Sequence, residues 1–248
     1  MLITLLASLA LALSPPTTTE PDALTGDEIM ARAHAAAGGE AWRDPGSLYM
    51  EGYGLFWRGG ADFVRYEPYR MWRVYASDKP DARQASGRVR IEAYREGEIV
   101  FQLAYDGEQS YNQDGPVEAG ADDWASNFGF GAIRHAFDEG WTIDRLPDDL
   151  VDAQPAYTVR LNDPAGGETI FSIRQDDFAI VRVGFDTPRG WHERIYSDFY
   201  ANTEGGFVQP GRLRLYYNGV KANEVYWTAF TTGETYDDGL FRIGVGDE

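Results

Sequence analysis

The chain has 248 residues, of which 43% are hydrophobic, so it can bury a sizeable core in one large domain or two small ones. Its net charge of −18 opposes binding to nucleic acid phosphates and to anionic bilayer surfaces, and we expect no nucleic acid partner. The absence of cysteine excludes disulfides, thiolate metal sites, thiol catalysis and lipid attachment through an N-terminal cysteine in this chain.

The N-terminal residues have the pattern of an export signal. Leu2–Leu13 is an apolar run that suits the core of a signal peptide and is too short to span a membrane. Small residues precede Pro15 in the pattern of a cleavage site, so we predict a signal peptide over 1–14 that is cleaved near Ser14. We expect 15–24 to be a Pro/Thr linker, followed by one domain over 25–248.

Two substantial helices are predicted. Thr25 and Glu28 have the spacing of a capping box, in which each side chain covers a backbone amide at the start of a helix. The helix that follows is predicted to end at a Gly-Gly pair at 38–39. A second helix is predicted over 122–137, although two glycines within it lower its helical propensity.

Most of the remaining sequence alternates between apolar and polar residues with a period of two, which indicates half-buried β-strands. Turns rich in Gly, Asp and Asn separate these segments, so we expect antiparallel neighbours. A short segment at 141–146 and an acidic stretch at 147–155 are predicted to connect the two halves of the chain. The predicted strands are 47–57, 62–75, 87–95, 98–106, 109–113, 156–161, 168–174, 178–185, 193–200, 207–217 and 220–231.

The last three strands show the clearest pattern. An Asn-Gly pair at 218–219 joins two of them and is the strongest short hairpin signal, because both residues tolerate positive φ. Apolar residues alternate with polar ones on both sides of this turn, which predicts one packed and one solvated face. The predicted packed face carries Leu213, Leu215, Tyr217, Val225, Trp227 and Ala229.

These elements predict an α+β fold. About eleven antiparallel strands in one sheet tend to curl, which gives a half-open barrel with two or three helices over its concave face. If the helices leave part of this face unfilled, the resulting cavity binds an apolar ligand. The strands are rich in Trp and Tyr, which bury apolar area and can anchor a polar head group. The alternative is that these aromatic residues only fill the core.

Several short motifs between residues 25 and 243 occur in the same order as in a known superfamily. They are the N-terminal helix that ends at Gly38-Gly39, Glu67-Pro68-Tyr69-Arg70-Met71-Trp72, Tyr105-Asp106-Gly107, the closing strands from Tyr196 to Leu213, and Asp238-Gly239-Leu240-Phe241. In this order the sequence resembles the LolA/LolB-like superfamily of periplasmic lipoprotein carriers.

The resemblance implies a half-open antiparallel barrel under a helical lid, here the 122–137 segment. It implies a non-catalytic monomer in the periplasm that holds acyl chains of a lipid or an acylated lipoprotein and needs no cofactor. A membrane-associated protein would donate or accept the cargo. Because this chain lacks cysteine, it is more similar to the soluble carriers than to the anchored receptors.

The resemblance also suggests a ligand-binding wall and a gate. In the carriers an arginine near the pocket gates the lid, and the candidates here are Arg65 and Arg70, although Glu67 stands where the carriers have a basic residue. The predicted wall and lid residues are Trp57, Tyr66, Trp72, Phe101, Tyr105, Trp124, Phe128, Phe199 and Trp227.

Two other classes of function stay open at this point. Acidic pairs at 122–123, 148–149 and 176–177 could serve general acid–base catalysis or bind calcium, but all of them lie in turn-like stretches where Asp is expected. Three histidines are scattered along the chain, and no nucleophile-elbow or H-E-x-x-H motif occurs, so we predict neither a catalytic nor a metal site. The same fold also serves periplasmic sensors that bind a partner protein.

Overall fold

The structure is a computed structural model that describes residues 23–76, 82, 87–117, 131–201 and 206–244. The predicted signal peptide and most of the predicted linker lie outside these residues. The helices are α1 (Gly26–Ala37), α2 (Glu40–Arg43), a 3-10 helix at 131–135 and a C-terminal 3-10 helix (Asp238–Phe241). The strands are β1 (Ser47–Trp57), β2 (Phe63–Val74), β3 (Arg88–Arg95), β4 (Glu98–Tyr105), β5 (Ser110–Asn112), β6 (Gly115–Pro116), β7 (Thr142–Val151), β8 (Gln154–Asn162), β9 (Glu168–Arg174), β10 (Ile180–Thr187), β11 (Gly190–Ala201), β12 (Val208–Tyr217) and β13 (Val220–Thr232).

The thirteen strands form one open antiparallel sheet in the order β6-β5-β4-β3-β2-β1-β13-β12-β11-β10-β9-β8-β7. Each half of the chain is therefore a meander, with neighbours in sequence paired in space. The two meanders meet at a single seam, where β1 pairs with β13 and Leu48 lies opposite Thr232. This arrangement confirms the predicted single antiparallel sheet, which is not closed into a barrel.

The described residues contain two more strands than the predicted eleven. The short β6 was not predicted, and β7 continues through the stretch that we interpreted as an acidic connection. The register of β7 against β8 shifts between Leu146 and Asp149, so Pro147 lies in a bulge. Proline is tolerated at bulges and on edge strands, and β7 is the edge of this sheet. The connection predicted at 147–155 was therefore wrong.

The N-terminal helix begins as predicted. The Thr25 amide donates to Glu28 Oε2 at 2.8 Å, and the Glu28 amide donates to Thr25 Oγ1 at 3.2 Å. The helix ends at Gly38, where a Cβ atom would lie 2.4 Å from the Gly206 carbonyl oxygen. Helix α1 buries Ile29, Met30 and Ala33 against the sheet, which confirms its role as a cover.

Only the end of the second predicted helix lies within the described residues. Residues 131–135 form a 3-10 helix rather than an α-helix, and 122–130 are outside the description. Ala132, Ile133 and Ala136 are buried in the main core, so this segment also covers the inner face of the sheet. None of the helices in the described ranges has the length and hydropathy that a membrane span requires.

The inner face of the sheet is interrupted by a bulge at the seam. Glu51 pairs with Ala229 and Gly52 pairs with Trp227, so Thr228 is skipped in the register. A Cβ atom on Gly52 would lie 1.8 Å from the Tyr226 carbonyl oxygen, which explains why glycine stands here. Because the bulge reverses the alternation, Phe230 is buried and Ala229 is exposed, contrary to the prediction for Ala229.

Candidate functional site

A cavity of about 200 Å³ lies between the inner face of the sheet and the segments that cover it. An apolar cavity of about 150 Å³ is large enough to hold benzene, so this one can take a short alkyl segment. Both meanders contribute to its wall. Its apolar lining includes Leu48, Met50, Met71, Phe199, Leu213 and Trp227.

The cavity exists because the covering segments present small side chains to it. Ala36 and Ala37 at the end of α1, Gly131 in the 3-10 segment and Ala179 in the turn before β10 all line the cavity. A Cβ atom on Gly131 would have no heavy atom of the described residues within 4 Å. Since a void forms where neither surface fills the gap, these small residues leave the space that larger side chains would occupy.

The structure brings only part of the predicted wall to this cavity. Phe199 and Trp227 line it. Tyr66, Phe101 and Tyr105 are partly buried against the main core, but they are not among the described residues that line the cavity. Trp124 and Phe128, the predicted lid residues, lie outside the described ranges.

Trp57 and Trp72 lie on the opposite face of the sheet, which corrects their predicted position. The Trp72 ring is 5.2 Å from the ring of Tyr49, and Lys221 Nζ is 4.4 Å from the ring centroid of Trp57. The physical reason is the alternation of side chains along a strand. Met71 faces the cavity, so the next residue along β2 must face away from it.

The two predicted gating arginines also lie away from the cavity. Arg65 Nε donates to Glu67 Oε2 at 2.9 Å, and its guanidinium lies 3.8 Å from the ring centroid of Tyr53. Arg70 Nε donates to Glu51 Oε2 at 2.7 Å on the outer face. Both side chains therefore form partly exposed surface ion pairs, and neither lines the cavity in the part of the chain described.

Three other arginines line the cavity among the described residues, and none of them was predicted to do so. They are Arg73 on β2, Arg134 in the 3-10 segment and Arg194 on β11. Arg73 is 1% exposed and Arg134 is 8% exposed. For Arg73 the sequence did contain a signal. Tyr69, Met71 and Arg73 share one face of β2, and the first two are residues that usually face the core.

Aromatic rings and neutral groups hold these guanidinium groups in place. The Arg134 guanidinium lies 4.2 Å from the Trp42 ring centroid and 4.8 Å from that of Tyr75, and the Arg73 guanidinium lies 4.5 Å from the Tyr75 ring. Arg194 Nε donates to His192 Nε2 at 2.8 Å. Stacking of this kind fixes the plane of a guanidinium and leaves its N–H groups at the edge.

The three positive charges act on one another inside the protein. Burial lowers the pKa of Arg134 to about 10; Tyr75 raises this pKa, and the nearby positive charge of Arg73 lowers it further. Burial also lowers the pKa of Arg194, and Arg73 again contributes in the same direction. The cavity therefore combines an apolar wall with guanidinium groups from three arginines among the described residues.

The acidic pair at 122–123 lies outside the described residues, and the described groups that suggested catalysis or metal binding make structural contacts. Asp149 accepts from Arg182 at 2.6 Å, and Asp177 accepts from Arg174 at 2.9 Å. His34 Nε2 donates to the Ile133 carbonyl oxygen at 2.6 Å, which attaches α1 to the 3-10 segment. Within the described ranges no three His, Asp or Glu side chains form a group that could hold a metal ion.

No protein-family model and no curated protein sequence matches the chain. Among solved structures, it aligns with a LolA superfamily protein from Nitrosomonas europaea at a TM-score of 0.54 and 13% identity, over 88% of this chain and 98% of that one. The chain has a LolA-like fold. A domain assigned to outer membrane lipoprotein sorting, from Vibrio parahaemolyticus, aligns at a TM-score of 0.50 and 11% identity, over 87% of this chain and 95% of that one.

A third similar structure is a DUF1329 family protein from Desulfovibrio piger, with a TM-score of 0.51 and 12% identity over 87% of this chain and 95% of that one. These alignments confirm the fold that the sequence motifs suggested. Because identity is low in all three, the LolA-like fold supplies the architecture, and the ligand must be argued from the cavity itself.

Proposed function

We propose that the protein is a periplasmic carrier that binds an acyl chain of a lipid or of an acylated lipoprotein and catalyses no reaction. The observation that supports this function is the cavity of about 200 Å³, whose wall is largely apolar and which lies under the helical cover of an open sheet. Transfer of each methylene group from water into such a site contributes about 0.8 kcal/mol.

A carrier must also release its cargo to an acceptor, and the cover of the cavity is the part that would move. The 3-10 segment contributes Gly131 and Arg134 to the cavity, and the His34–Ile133 hydrogen bond attaches it to α1. Opening of this segment would expose the cavity without disturbing the paired strands. A membrane-associated donor or acceptor protein would exchange cargo with the monomeric carrier in this open state.

The test of this function is native mass spectrometry of the purified protein, combined with displacement of a fluorescent fatty-acid probe. We expect a co-purifying lipid and a displaceable probe. Leu213 lines the cavity and is half-buried, so Leu213→Trp fills part of the void and should weaken probe binding. The matched control is Leu150→Trp, at a side chain that is 61% exposed on β7.

Three results would contradict the proposal. A bare protein mass with no probe binding would remove the carrier function altogether. Equal loss of binding in Leu213→Trp and Leu150→Trp would show that the probe does not occupy this cavity. Bound lipid that is recovered with an altered covalent mass after incubation would indicate an enzyme instead.

A further inference from the structure

The cavity carries positive charge in a strongly acidic protein. The chain has 40 acidic residues against 22 basic ones, yet three arginines and one acid, Asp177, stand among the described residues that line the cavity. Asp177 already accepts a hydrogen bond from Arg174 Nε at 2.9 Å, so its charge is compensated at the rim. A cavity that served only to bury apolar chains would not require this charge.

Arg134 has hydrogen-bonding capacity that the described residues do not use. Its Nη1 atom is buried and has no hydrogen-bond partner among them, although Tyr75 and Asp44 interact with the guanidinium. A buried donor without a partner destabilises the protein, the more so if it is charged, so such groups call for an explanation. The side chain is 8% exposed and lines the cavity, so a ligand there would lie beside Arg134.

Arg73 and Arg194 also favour an anion in the cavity beside Arg134. The guanidinium groups of Arg73 and Arg134 lie 4.5 Å and 4.8 Å from the same Tyr75 ring centroid, and Arg194 lines the same cavity. Repulsion among cationic groups that line one cavity is relieved by a bound anion. A guanidinium presents its N–H groups as a fork that matches the oxygens of a carboxylate or a phosphate.

We propose that the cavity selects a single-chain amphiphile with an anionic head group, a carboxylate or a phosphate monoester, whose oxygens accept hydrogen bonds from Arg134 beside Arg73 and Arg194. The alkyl chain occupies the apolar part of the cavity beside Leu213 and Trp227. This inference rests on the proposed function, because it names the class of lipid that the carrier binds. An acyl chain attached through an ester or amide presents a neutral head and is disfavoured.

The test compares ligands that share one chain and differ in the head group. Decanoate, decyl phosphate and decanol are titrated into the wild-type protein at neutral pH, with isothermal titration calorimetry as the readout. We expect at least one of the two anions to bind about tenfold or more tighter than decanol, as charge-assisted hydrogen bonds predict. The anion that binds tighter identifies the head group. Acetate and inorganic phosphate, which lack the chain, should show no binding at the same concentrations.

Variants then assign the selectivity to the cavity. Arg134→Gln should weaken decanoate or decyl phosphate binding about tenfold and leave decanol binding unchanged. Arg70→Gln, on the outer face, is the matched control and should change neither affinity. The ligand comparison on the wild-type protein needs no variant to fold.

The outcomes separate this inference from the proposed function. Equal affinity for decanol and both anions would overturn the inference and leave the carrier function in place. Failure of all three ligands to bind would contradict the carrier function. Binding of acetate or inorganic phosphate as tight as that of the amphiphiles would also overturn the inference, because it would show a site for small anions alone.

Discussion

Lengthening the ligand by one methylene group at a time measures the cavity directly. A cavity of about 200 Å³ takes roughly seven groups the size of a water molecule, each of which occupies about 30 Å³. A methylene group is of similar size, and its burial contributes about 0.8 kcal/mol, or about fourfold in the dissociation constant. Affinity should therefore rise about fourfold per carbon up to a chain of about eight carbons and then flatten.

Displacement of a fluorescent probe by straight-chain carboxylates of about six to sixteen carbons, below their micellar concentrations, measures this dependence. Leu213→Trp fills part of the cavity, so the chain length at which affinity stops rising should become shorter. Leu150→Trp should leave this chain length unchanged. A constant slope up to the longest chain would refute the assignment of the site to this cavity. Affinity that does not depend on chain length would refute apolar burial as the driving force.

Two further predictions concern the stability of the fold. Gly52→Ala should lower the free energy of unfolding by about 2–4 kcal/mol in urea, since its Cβ would lie 1.8 Å from the Tyr226 carbonyl oxygen. A Cβ atom on Gly131 meets no atom of the described residues, so Gly131→Ala should change the free energy of unfolding by less than about 0.5 kcal/mol, and equal losses in the two variants would contradict this reasoning. Burial lowers the pKa of His34 below the ordinary value of 6.5, so the unfolded chain binds more protons just below that pH. The free energy of unfolding should therefore fall as pH decreases through this window, and an unchanged pH profile in His34→Gln would rule out this residue as the cause.

The sequence predicts those elements that depend on local interactions. The capping box at Thr25 fixes the start of α1, and the alternation of apolar and polar residues locates eleven of the thirteen strands. The exceptions follow from contacts that are distant in sequence. Strand β7 runs through Pro147 because its bulge pairs with β8 at the edge of the sheet, and no local pattern shows where that edge lies.

The candidate site depends more strongly on tertiary structure. Alternation shows that Met71 and Trp72 face opposite ways, but the register and bulges along the chain decide which face of each strand is covered. Phe199 and Trp227, which the aromatic pattern proposed as wall residues, line one cavity. The sequence pattern did not indicate Arg73 as a wall residue, because a charged side chain on a strand is usually interpreted as solvent-facing. The position of Arg134 depends on how the 3-10 segment packs over the sheet.

The seam between β1 and β13 sets the order in which a working binding site can assemble. Each meander can pair its strands with local partners, whereas Leu48 must find a partner 184 positions further along the chain, at Thr232. The first meander supplies Met71 and Arg73, and the second supplies Arg194 and Trp227. Cargo can consequently be loaded only after translation has reached the final strand and the two halves have joined. Ligand occupancy thus reports on completed folding of the whole chain.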